Sequence, residues 1–129
     1  MKKRRTMLCF LLSGMMLLGS VTVVSAGSSS NLGSYLKVSA TCTTTSGTGS
    51  VTNRNTGVSR YARVWQLVQN KNNTTLSRKS SEGAITSGSK SVSSSGLSGV
   101  DHNVVTAQIY SGSLPSTRLL ETLTTTAKH

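Results

Sequence analysis

Few residues of this chain could do covalent or acid–base chemistry. Beyond Ala26 there are two histidines, His102 and His129, three acids, Glu82, Asp101 and Glu121, and one thiol, Cys42, set among many serines. Hydrolysis by a serine needs a base within reach of the hydroxyl and a third group to orient that base. No G-x-S-x-G elbow is present. Asp101-His102-Asn103 reads as a polar turn ahead of a strand, because neighbouring side chains on an extended backbone point apart. Glycoside cleavage would have to pair two of the three acids, and their spacing brings no two together. Gly83-Ala84-Ile85-Thr86-Ser87-Gly88-Ser89-Lys90 has the outline of a phosphate-binding loop, but Ser89 stands where a lysine must follow the second glycine. With no Cys/His cluster for zinc either, the sequence predicts a protein that is not an enzyme and has no metal and no cofactor.

What remains is chemistry of binding, and it centres on Tyr61, Arg63 and Trp65. These fall at every second position in Arg60-Tyr61-Ala62-Arg63-Val64-Trp65-Gln66-Leu67-Val68-Gln69-Asn70, the densest apolar run after the first 26 residues and the one holding the single Trp. As a strand, it puts Ala62, Val64, Gln66 and Val68 on one face and Tyr61, Arg63, Trp65 and Leu67 on the other. As a helix, Tyr61, Val64, Trp65 and Val68 form an equally complete stripe. Turn residues on both sides, Thr56-Gly57 and Lys71-Asn72-Asn73, and the β-branched and aromatic content favour the strand. Which face is buried then decides the function. If Ala62, Val64 and Val68 face the core, Tyr61, Arg63 and Trp65 make an outward stripe of two rings and a cation, able to stack on a sugar or a base. If Trp65 faces inward, it is a packing residue and Arg63 must snorkel to the sheet edge.

The elements that would carry this stripe are short strands. Tyr35 to Thr43 alternates Leu36, Val38, Ala40 and Cys42 against polar positions, and Val104 to Tyr110 sets Val105, Ala107 and Ile109 on one face. Ser46-Gly47-Thr48-Gly49 reads as a turn, with a short strand at Val51 to Asn53. Asn70-Lys71-Asn72-Asn73 reads as the hairpin turn that leads to a partner strand at Thr74 to Arg78. Gly83 to Ser87 and Lys90 to Ser94 are Ser-rich and suit sheet edges. After the turn Ser111 to Pro115, the Thr-rich stretch Leu119 to Thr126 prefers extended structure. About six or seven such strands predict an all-β fold, a small single-domain antiparallel β-sandwich of immunoglobulin-like type over residues 34–129.

Ahead of that domain, Met1-Lys2-Lys3-Arg4-Arg5, the apolar run Met7 to Leu18 and Val24-Ser25-Ala26 follow the order of a secretory signal, predicting a leader over residues 1–26 and a flexible lead-in over 27–33. An uncleaved anchor helix is the other reading, weakened by Ser13, Gly14, Gly19, Ser20 and Thr22. The whole chain has a formal charge of +11, and since four of its 14 basic and none of its three acidic residues lie in the leader, +7 remains after Ala26. The charge is dispersed, from Lys37 to Lys128, as on a solvated surface, and it attracts anionic polymers and lipids, while nucleic acid has no motif behind it. Cys42, the one thiol outside the leader, ends an apolar strand face and is expected to be buried.

Leu114-Pro115-Ser116-Thr117-Arg118 resembles the sorting signal of wall-anchored proteins, but Arg118 replaces its glycine and no long apolar tail follows, so Pro115 reads as a turn residue. The leader and the Ser/Thr-rich β pattern resemble, in style alone, many small secreted proteins of Gram-positive bacteria. Two functions fit. One is a secreted, non-catalytic module that binds an anionic cell-wall polymer or the membrane surface without a covalent anchor. The other is a cationic, bacteriocin-like effector, against which stands the lack of an amphipathic basic helix.

Overall fold

The computed structural model describes residues 27–129, so the leader read over residues 1–26 lies outside the described residues. The described part is all-β with no helix. Its strands are β1 (Gly27–Leu32), β2 (Leu36–Cys42), β3 (Gly47–Asn53), β4 (Arg60–Gln69), β5 (Thr75–Ile85), β6 (Ser89–Ser94), β7 (His102–Tyr110) and β8 (Leu119–Lys128). They form two antiparallel four-stranded sheets, ordered β1-β2-β3-β6 and β5-β4-β7-β8. Eight strands are present where about six or seven were expected. Strands β2 and β3 are joined by a hairpin and pair directly.

The sheets share one sandwich-like interior, and alternation explains which residues enter it. Leu36, Val38, Ala40 and Cys42 of β2, Ala62, Val64 and Val68 of β4, and Val105, Ala107 and Ile109 of β7 are all buried in a single cluster. The residues that alternate with these point outward, as a period of two requires, and Gln66, on the inward side of β4 between Val64 and Val68, is buried with them. The β4–β5 hairpin follows from its turn chemistry. The Asn70 side chain accepts from the backbone N–H of Asn72 and Thr74, at 2.9 and 3.0 Å, while Asn73 takes a positive φ of 62° that asparagine tolerates well.

Residues 27–33, read as a flexible lead-in, instead hold a strand. Gly27–Leu32 pairs with β2 along its whole length. It carries no apolar alternation because its inward positions bond rather than pack: Ser29 Oγ meets Thr125 Oγ1 at 2.6 Å and Asn31 Nδ2 donates to the Thr124 carbonyl at 3.2 Å. Both partners lie on β8, so these contacts stitch the edges of the two sheets together.

The turn read at Ser46 to Gly49 is likewise mostly strand, since β3 begins at Gly47. Gly47 and Gly49 occupy inward positions, and the absence of a side chain is what the opposite sheet requires. A Cβ on Gly49 would stand 2.7 Å from both γ carbons of Val105, and one on Gly47 would stand 3.0 Å from the Asn103 amide and 3.2 Å from Val68. Asn103 uses the space to cross between sheets. Its Nδ2 donates to the carbonyls of Thr41 and Thr48, at 3.0 and 2.9 Å. A second buried amide does the same: Gln66 Nε2 donates to Ser94 Oγ at 2.6 Å, and that hydroxyl lies 2.7 Å from Ser77 Oγ. Amides held in this way fix the relative placement of the sheets, because any slip would leave a buried donor unpaired.

This contact predicts a steep asymmetry on β3. Gly49→Val should lower unfolding stability by about 1–3 kcal/mol through overpacking against Val105, whereas Ser50→Ala on the outward face should change it by less than about 0.5 kcal/mol. Urea titration of both variants checks this, with unchanged m-values showing that the native fold is kept.

Candidate functional site

The outward faces of the two sheets differ in kind. On the first sheet the register lines up Ser28, Thr41, Thr48 and Ser93 in one row and Ser30, Ser39, Ser50 and Ser91 in the next. Only Leu32 and Lys37 interrupt the hydroxyls, in the third row with Thr52 and Ser89. On the second sheet the middle row runs Ser80, Trp65, Thr106 and Thr124 across β5, β4, β7 and β8. Leu67 and Val104 lie in the row on one side, with Arg78 and Thr126 at its ends; Arg63 and Gln108 lie in the row on the other, with Glu82 and Thr122 at its ends.

Of the two ways to orient β4, the structure has the one that buries Ala62, Val64 and Val68 completely. Tyr61, Arg63 and Trp65 therefore all lie on the outward side. Trp65 is half-buried at the centre of the face, between the side chains of two β strands that carry only small polar residues beside it.

Tyr61 and Arg63 do something other than extend an open stripe. Tyr61 keeps only 8 % of its surface exposed. Its ring meets Tyr110 edge-on at a centroid distance of 5.8 Å, and its hydroxyl donates to Glu82 Oε2. The Arg63 guanidinium lies over both tyrosine rings, 5.9 Å from Tyr61 and 5.6 Å from Tyr110. Its Nε is 3.3 Å from Glu82 Oε1, an ion-pair distance without the alignment of a hydrogen bond. Tyr110 also donates to Gln108 Oε1 at 3.2 Å. Arg63 thus bridges Tyr61 and Tyr110, a partner that sequence reasoning missed. Both rings sit at the ends of their strands, and neither periodicity nor spacing says which strands are neighbours. The arrangement braces the face beside Trp65, which takes no part in it.

The Glu82 hydrogen bond raises the Tyr61 phenol above its ordinary value, with burial and the nearby carboxylate charge adding to the effect and Arg63 opposing it. A phenol that holds its proton more tightly in the folded state contributes stability below the unfolded tyrosine value and loses it as pH rises through the folded one.

The same outward face ends, away from Tyr61, in a second polar cluster. His102 Nδ1 is 2.9 Å from Asp101 Oδ2 and its Nε2 is 3.0 Å from Gln69 Oε1. Asp101 and His102 were expected to point apart, yet they touch, because Asp101 precedes the strand and is free of its alternation. The Gln69 amide nitrogen donates to the Asn73 carbonyl at 3.0 Å, which turns its oxygen toward the imidazole. The position that a serine hydroxyl would need is thus taken by Gln69. The hydrogen bond from His102 holds the Asp101 carboxyl below its ordinary value, with Lys128 Nζ at 3.8 Å and His129 acting the same way and burial opposing. Cys42 is fully buried and its thiol is pushed up by that burial and by the charge of Asp101. Among the described residues no group of three or more His, Cys, Asp or Glu comes together to hold a metal.

No protein-family model matches the chain, and no curated protein is significantly similar to it.

The brace at Tyr61 is testable by titration. The stability difference between the wild-type protein and Tyr61→Phe should be constant below the ordinary tyrosine range and shrink as pH rises through it and beyond. Chemical denaturation across an alkaline pH series reads this directly; a difference that stays constant through the alkaline range would remove the Tyr61–Glu82 bond from the account.

Proposed function

We propose that this is a secreted, basic, non-catalytic protein of a Gram-positive bacterium that binds an anionic polymer of the cell wall through the outward face of β5-β4-β7-β8. The observation that carries the reading is Trp65, half-buried at the middle of a row whose other members are Ser80, Thr106 and Thr124. A single ring in a level field of hydroxyls suits an extended chain of sugars or polyols, which offers an apolar face to stack and hydroxyls to exchange hydrogen bonds. Arg78 at the edge of the same face adds a cation with no acidic partner among the described residues. The excess of positive charge draws an anionic polymer in, and the ring gives it a place to rest.

Co-sedimentation with isolated cell walls at low and high salt tests this, using Gly27–His129, whose core residues all lie within that span. Binding should weaken but persist at high salt, and Trp65→Ala should weaken it about tenfold or more, as loss of a buried aromatic anchor does. Complete loss at high salt together with an unaffected Trp65→Ala variant would leave charge alone as the holding force and sink the site.

A further inference from the structure

The end of the molecule that carries the loops β1–β2, β3–β4, β5–β6 and β7–β8 combines two features. Every exposed large apolar side chain among the described residues lies there: Leu32 at 61 %, Tyr35 at 36 %, Val58 at 45 %, Leu114 at 61 % and Leu119 at 42 % exposure. They come from three separate connections and the strand ends beside them. Three arginines, Arg54, Arg60 and Arg118, stand among them, and none is within ion-pair distance of a carboxylate. The opposite end has the loops β2–β3, β4–β5 and β6–β7, with no exposed large apolar residue among those described.

The loops are tied to one another, so the end presents a fixed surface. The backbone N–H of Arg54 donates to the Tyr35 carbonyl at 3.0 Å, Arg60 Nη1 donates to the Ser111 carbonyl at 3.3 Å, and Asn53 Nδ2 donates to the Thr86 carbonyl at 3.2 Å. The Arg60 guanidinium also lies 5.4 Å from the centre of the Tyr35 ring. The carboxylate at this end, Glu121, is turned inward, where it accepts from the backbone N–H groups of Ser34, Tyr35 and Leu36 at 3.1, 2.8 and 3.1 Å. Arg54 and Arg118 remain exposed.

We infer that this end docks onto the surface of an anionic lipid bilayer, with Leu32, Val58 and Leu114 entering the headgroup–acyl boundary and Arg54 and Arg118 meeting lipid phosphates. A bilayer interface accepts isolated apolar side chains from separate loops, which need no matching groove, and phosphodiesters suit the guanidinium fork. The charge imbalance fixes the sign of the surface. The inference shares with the envelope reading only a location outside the cell and uses none of the Trp65 face.

Vesicle flotation of Gly27–His129 decides it, with vesicles of phosphatidylcholine alone and of phosphatidylcholine mixed equally with phosphatidylglycerol. The protein should float with the anionic vesicles and not with the neutral ones. Val58→Asp combined with Leu114→Asp should cut that binding about tenfold or more, and Arg54→Gln combined with Arg118→Gln should weaken it and erase the preference for anionic lipid. Trp65→Ala should float as the wild type does, and Trp65 emission reports that each loop variant is folded. Should the acidic pair unfold the protein, Val58→Ser with Leu114→Ser takes its place. Absence of flotation, or flotation unchanged by the loop variants, overturns the inference. Wall binding that requires Trp65 alongside absent flotation would overturn it while leaving the envelope reading in place.

Discussion

Two sheets that share an interior of valine, alanine and a few larger aliphatic residues can stabilise one another only by coming close. Dispersion and water exclusion both fall off once a gap opens between small side chains. Gly47 and Gly49 make the approach possible by leaving room for Asn103 and Val105 on the opposite sheet. The buried amides of Asn103 and Gln66 then hold it, each donating across the interior to a partner on the other sheet. Tyr61, Tyr110 and Trp65 lie on the outward side of the second sheet, where the first two brace one another around Arg63 and the third is half-buried between Ser80 and Thr106.

The electrostatics follow the same division of labour. Each of the three side-chain carboxylates is engaged by groups of the protein itself: Glu82 with Tyr61 and Arg63, Asp101 with His102 and Lys128, and Glu121 with three backbone N–H groups at the β1–β2 turn. Gly33 is part of that last arrangement, since a Cβ there would lie 2.0 Å from a Glu121 oxygen. Acid in this protein is spent on construction. The positive charge is left over and faces outward.

Much of the fold could be read from period-two alternation, which is strongest where one strand face is packed. β2, β4 and β7 were legible for that reason, and the Asn-rich turn after β4 was legible from its own chemistry. β1 was not, because its inward serine and asparagine make hydrogen bonds instead of burying apolar surface, and the same composition describes a loose chain end. The start of β3 was hidden by glycines whose role depends on Val105 and Asn103, more than fifty positions away in the sequence. At the site, the outward side of Tyr61, Arg63 and Trp65 was one of two stated possibilities. The partners that separate Tyr61 from Trp65 in role, Glu82 and Tyr110, come from strands on either side of β4 and only strand order reveals them.

The glycines of β3 also bear on how this protein can change over generations. Along that strand Thr48, Ser50 and Thr52 face outward into the rows of hydroxyls, while Gly47 and Gly49 face a neighbour already in contact. Replacements at the first set meet solvent, and replacements at the second meet Val105 and Asn103. Drift is therefore one-sided: the hydroxyl surface is free to be rewritten for a new ligand or a new environment without disturbing the interior, and the two glycines behind it are not.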